Sequence, residues 1–129
     1  MRRVLALTVL LAALTACSGT FADGSRVVLN EYSMVASPRL VAAGIVDFEL
    51  ENVGEQGHMM VITDDDGTVQ ATTGVIAPGA TATLRADLEA GNYFASCRIV
   101  VQLPDGQIVD HLEEGMLTTL RVIASDGGS

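Results

Sequence analysis

Gly44-Ile45-Val46-Asp47-Phe48-Glu49-Leu50-Glu51-Asn52 alternates apolar and acidic side chains. Successive side chains of a strand point to opposite faces, so Val46, Phe48 and Leu50 share one face while Asp47, Glu49 and Glu51 share the other. A segment of this kind is a half-buried strand. Working outward, the same rhythm recurs between closely spaced turns. Arg26 to Tyr32 reads as a strand before it, and His58 to Thr63 as one after it. Asp64-Asp65-Asp66-Gly67 supplies a turn, and Val69 onward can pair back. Ala77-Pro78-Gly79 is the next turn, since Pro presets φ and Gly permits a positive φ. Thr81 to Asp87 sets Ala82, Leu84 and Ala86 against Thr81, Thr83 and Arg85; Glu89-Ala90-Gly91 then leads into Asn92 to Cys97, and Leu117 to Ala124 closes the pattern. Ser33 to Ala43 stays open, because Pro38 allows only an edge strand or a loop there. Many short strands with frequent turns predict an all-β, antiparallel Greek-key β-sandwich.

The two ends of the chain read differently. Met1-Arg2-Arg3, an apolar run from Val4 to Leu14 and a small-residue stretch have the form of a secretory signal. The run falls short of the roughly 20 apolar residues that a membrane-spanning helix needs. Leu14-Thr15-Ala16-Cys17, followed by Ser18-Gly19, resembles the lipobox of bacterial lipoproteins. That resemblance implies cleavage before Cys17, lipid on its sulfur, and a protein held by its acyl chains on the extracytoplasmic face of a cell membrane. The expected division is a signal peptide over 1–16, a lipidated tether over 17–25, one domain over 26–125 and a polar tail over 126–129.

The charge is strongly negative. The 129 residues carry a formal charge of −9 with no Lys, and removal of Arg2 and Arg3 would leave five Arg against 16 carboxylates, a net −11. Such a surface repels nucleic acid and favours a basic partner. With Cys17 lipidated, Cys97 is the remaining thiol, unpaired in an oxidising compartment, which points to inert burial or to metal ligation.

Its surroundings favour ligation. The chain has two His: His58 starts a strand after Asn52-Val53-Gly54-Glu55-Gln56-Gly57, and His111 lies in a loop after Pro104-Asp105-Gly106. Met116 follows shortly after His111. One thiol, two imidazoles and one thioether form the donor set of a blue-copper site, soft enough for Cu(I) and still suited to Cu(II).

The order of these features resembles the cupredoxins. The likeness runs through the first strand, the loop with Pro38, Ala43-Gly44, Asn52-x-Gly54 and His58. It continues through Ala77-Pro78-Gly79, Leu88 to Tyr93, Cys97, His111-x-x-x-Gly115-Met116 and Leu120-Arg121-Val122. The resemblance implies one type 1 copper per chain, with His58 and His111 as imidazole ligands, Cys97 as thiolate and Met116 as axial thioether. It further implies electron transfer rather than catalysis, with His111 reaching the surface as the electron port. A monomer meeting a basic redox partner is expected. The Cys97–His111 interval is longer than in plastocyanins, and Asp105-Gly106 predicts a hairpin of Ile99–Leu103 with Gln107–Asp110 that brings His111 back.

Other readings remain open at this level. The same donors would serve a copper scavenger or delivery lipoprotein, with Met59 and Met60 close to the site, or a metal-free interaction domain. Zinc could take Cys97, both His and Glu113 or Glu114. Asp64-Asp65-Asp66-Gly67 lacks the spacing of an EF-hand calcium loop, and there is no phosphate-binding Gly loop or Gly-x-Ser-x-Gly nucleophile. Two His cannot build the trinuclear cluster of a multicopper oxidase.

Overall fold

The computed structural model describes residues 20–125. The proposed signal peptide, Cys17 and the 126–129 tail lie outside the described residues. Within them the chain is all β: β1 Gly24–Asn30, β2 Ser33–Ser37, β3 Leu40–Ala42, β4 Gly44–Asn52, β5 Val61–Asp64, β6 Val69–Thr72, β7 Thr81–Leu88, β8 Gly91–Ser96, β9 Val100–Gln102, β10 Ile108–Asp110 and β11 Leu117–Ile123. One sheet has the order β2-β1-β4-β7, the second β3-β11-β8-β5-β6, and β9 with β10 makes a separate hairpin.

The alternation read in β4 holds. Val46, Phe48 and Leu50 are buried and Asp47 and Glu49 exposed. Together with Val27 and Leu29 of β1 and Leu88 of β7 they form the inner face of the first sheet. Val41, Leu120, Val122, Ala95 and Ile62 belong to the same core cluster from the second. Burying such side chains stabilises by about 1.5–3 kcal/mol each, so this alternation holds the two layers together.

Two features differ from the sequence reading. First, the sandwich is mixed: β1 pairs parallel with β4, and β3 parallel with β11. The cause is the Ser33–Ala43 segment. β2 lies at the edge of the first sheet, the chain turns at Ser37-Pro38, and β3 joins the edge of the second. Neighbours separated by such a crossing need not run antiparallel. Second, the domain starts earlier than residue 26. Gly24 and Ser25 are in β1, and Ala22 bridges to Val41. Ser25 is buried and donates its hydroxyl to the Pro38 carbonyl at 2.7 Å, and a Cβ at Gly24 would lie 2.6 Å from the Asp47 carbonyl oxygen. Of the residues expected in the tether, Gly24 is where two backbones approach closely and Ser25 is tied down through its hydroxyl.

Candidate metal centre

Each candidate donor is placed by a different piece of the fold. β8 and β11 run antiparallel with Ser96 opposite Leu117. The next pair along this ladder is Cys97 and Met116, and the Cys97 N–H donates to the Met116 carbonyl at 3.0 Å. Thiol and thioether residues are thereby neighbours at one end of the second sheet.

The expected hairpin forms, with Val101 opposite Val109 and Gly106 at φ 88° in the turn. Its base returns His111, whose N–H donates to the Ile99 carbonyl at 3.0 Å. A tight turn follows, in which the Asp110 carboxylate accepts from the Leu112 N–H at 2.9 Å and the Met116 N–H donates back to the His111 carbonyl at 3.0 Å. The long interval between Cys97 and His111 is thus ordered backbone.

His58 comes from the other side. It precedes β5 and makes an isolated two-way bridge with Ile76, at 3.1 and 2.7 Å. Buried Asn52 fixes this approach. Its Nδ2 donates to the carbonyls of Gln56 and Ile76 at 2.7 and 2.9 Å, and its Oδ1 accepts from the Gly54 N–H at 2.9 Å.

His58, Cys97 and His111 offer three donor atoms within 4.8 Å of one another. His58 Nδ1 lies 3.2 Å from His111 Nδ1, and Cys97 Sγ 3.6 Å from that same nitrogen. These three residues and Met116 have zero exposure. The far nitrogens are both engaged. His58 Nε2 meets Glu31 Oε1 at 2.9 Å, and His111 Nε2 meets Gln56 Oε1 at 3.0 Å.

This pattern fixes the chemistry of the cluster. An ionised carboxylate and an amide oxygen are acceptors, so each ring carries its proton on Nε2 and turns a bare Nδ1 lone pair inward. Two lone pairs and a sulfur then converge in a space closed to solvent. Burial, then the neighbouring His58, pushes the His111 imidazole below its ordinary value of 6.5 against the pull of Glu31 and Asp110, so it is neutral at pH 7. Neutral, convergent, soft-to-borderline donors suit a cation.

Other expectations are settled by burial. His111 does not reach the surface: the Gln56 side chain caps it and the Tyr32 ring stands edge-on at 5.3 Å between centroids. The electron port expected at its imidazole is therefore corrected. Glu113 and Glu114 are exposed and outside the donor cluster, against the zinc variant that used them. Met60 is fully buried within the hydrophobic core, and Met59 is partly buried against it. Glu31, Tyr32 and Gln56 went unnoticed in the sequence. Only Gln56, two residues before His58, lay near a recognised donor.

No protein-family model matches the chain, and no curated protein does either. Solved structures do resemble it. Dithionite-reduced auracyanin from the photosynthetic bacterium Roseiflexus castenholzii superposes with a TM-score of 0.60 at 17% identity, over 81% of this chain and 99% of that one. Reduced rusticyanin gives 0.55 at 20% identity, over 79% and 81%. A multicopper oxidase gives 0.56 at 16% identity, covering 89% of this chain and 47% of its own.

Proposed function

From the cupredoxin fold that these likenesses show, we propose that the chain is a type 1 copper protein that carries single electrons. The observation behind this reading is the buried convergence of His58 Nδ1, His111 Nδ1 and Cys97 Sγ, with both Nε2 atoms tied to acceptors. Met116, bonded through its backbone to both Cys97 and His111, would supply the fourth donor. Copper held there would supply a one-electron couple between Cu(I) and Cu(II).

The rest is the work of the chain. The β8–β11 ladder, the hairpin base and the Asn52 loop hold the donors from three directions, so that they resist displacement when charge changes. Burial excludes water. Two solved relatives are described in a reduced state, which accords with redox use of the fold. Complete burial favours a carrier over a delivery protein, which would need an exchangeable, open site. Two imidazoles are too few for an oxidase cluster, which supports a non-catalytic role.

The partner in this proposal is a redox protein with a basic docking patch, and the carrier is a monomer held on the extracytoplasmic membrane face through Cys17. The lipobox supports that anchor, and a mature protein with an unacylated Cys17 would refute it. The electron port is the Gln56–Tyr32 cover over His111, since that cover is partly exposed while the ring is not.

The copper test uses residues 18–129 produced without lipid. Addition of Cu(II) is expected to give an intense blue thiolate-to-copper band, absent in Cys97→Ser and retained with an altered potential in Met116→Leu. A colourless wild-type protein with no tightly bound copper would refute the assignment.

A further inference from the structure

Glu31 is the one carboxylate among the described residues that hydrogen-bonds to the donor cluster. It stands in the turn between β1 and β2, with its own N–H donating to the Asn30 side chain at 2.9 Å. Its Oε1 meets His58 Nε2 at 2.9 Å and also accepts from the Gln56 N–H at 2.8 Å, while Oε2 accepts from the Glu55 N–H at 3.1 Å. The seat is shaped for it. Gly54 leaves open a space in which a Cβ would lie 2.7 Å from Oε2 and closer still to Oε1. Burial opposes ionisation, but the bonds from Gln56, Glu55 and His58 outweigh it and bring the carboxyl down from 4.5 to about 2. The group is an anion at neutral pH, and 22% of its side chain remains exposed.

A surface carboxylate built only for solubility does not draw two backbone N–H groups and a buried imidazole onto itself. An anion that accepts from the outer nitrogen of a ligating imidazole fixes the tautomer and orientation of that ring and raises its basicity. Its negative charge also favours the more positive state of the centre. Glu55 and Gln56 belong to the same loop, so the turn that carries Glu31 and the loop that leads into His58 are locked together through this one group.

We infer that Glu31 is a positioning residue that holds His58 with Nδ1 directed into the cluster and lowers the reduction potential of the centre relative to a site with a neutral residue there. This rests on the copper reading and extends it: the carrier is tuned to give up its electron more readily than the same ligands would alone. Gln56 differs in kind. It accepts from His111 as a neutral amide, so the two imidazoles are polarised unequally, with His58 the stronger donor.

The test compares wild type with Glu31→Gln, which keeps the shape of the side chain and removes its charge. In the copper-free wild type, 15N resonances of His58 should show a protonated Nε2 and a bare Nδ1, and the variant should lose that single tautomer. In the copper-loaded proteins, the ratio of Cu(II) to Cu(I) affinity should fall by about tenfold or more in the variant, a rise of about 59 mV or more for one electron. Gly54→Ala, which crowds the carboxylate without touching its charge, should also disturb the His58 tautomer. Blue proteins with equal potentials, or a wild-type His58 protonated at Nδ1, would overturn this inference and leave the copper assignment standing. A wild type that stays colourless would overturn both.

Discussion

Asn52 shows how one buried polar side chain can position a site it does not belong to. Its amide satisfies two carbonyls and one N–H, and in doing so sets the path from β4 to His58. Glu31 completes that arrangement from the opposite turn, and the pH response of the copper-free protein should report it. Its folded carboxyl lies near 2 against an ordinary 4.5, so the unfolded chain binds more protons between those values and stability is lost as pH falls through that window. His111, held below 6.5, adds loss of the same sign that begins on acidification past that value. Urea denaturation from pH 7 to 2.5 should therefore show a shallow decline first and a steeper one below about 4.5, and Glu31→Gln should remove most of the steeper part. The clustered donors were legible because Cys and His are rare here, two of each, and carry a distinctive chemistry. Glu31 was not, since it is one of 16 acidic residues and lies 27 positions from the ring it meets.

Among the elements, the hairpin of β9 and β10 departs most from the rest. Val109 is buried, while Val100 and Ile108 are exposed, and the hairpin forms a sheet of its own. Its turn requires a positive φ at Gly106, a conformation that costs a residue with a Cβ about 1–2 kcal/mol. Gly106→Ala should therefore speed amide exchange at Val101 and Val109 by about tenfold, while β4 and β7 keep their protection; equal exchange in both regions would show that the hairpin opens only with the whole domain. The hairpin could be read from Asp105-Gly106 because a turn of this kind is local. β4 was equally legible because alternation within nine residues needs no partner. The parallel pairs β1–β4 and β3–β11 were not, for strand direction depends on where a chain crosses between sheets and leaves no mark in either strand. Gly24 and Ser25 misled for the related reason that small residues serve both loose linkers and tight backbone contacts.

Across the whole molecule, charge is arranged around the site as well as over the surface. Glu55, Glu113 and Glu114 lie close in sequence to the clustered donors, and Glu31 hydrogen-bonds to His58. Arg26 and Arg85 are paired with Glu51 and Asp47 on the first sheet. A net −9 should speed encounter with a cationic redox protein at low salt. The screening length falls from about 30 Å at 0.01 M to about 3 Å at 1 M, so stopped-flow association rates are expected to drop by about tenfold or more across that range. A rate independent of salt would remove the basic-patch requirement. The placement of Met116 has a further consequence, one of timing. It stands immediately before β11, and that strand lies between β3 and β8 rather than at an edge. A nascent chain can expose the imidazole of residue 58 and the sulfur of residue 97 long before the final strand is available to zip between its neighbours. Met116 can therefore join the cluster of His58, Cys97 and His111 only once β11 has taken its place between those neighbours.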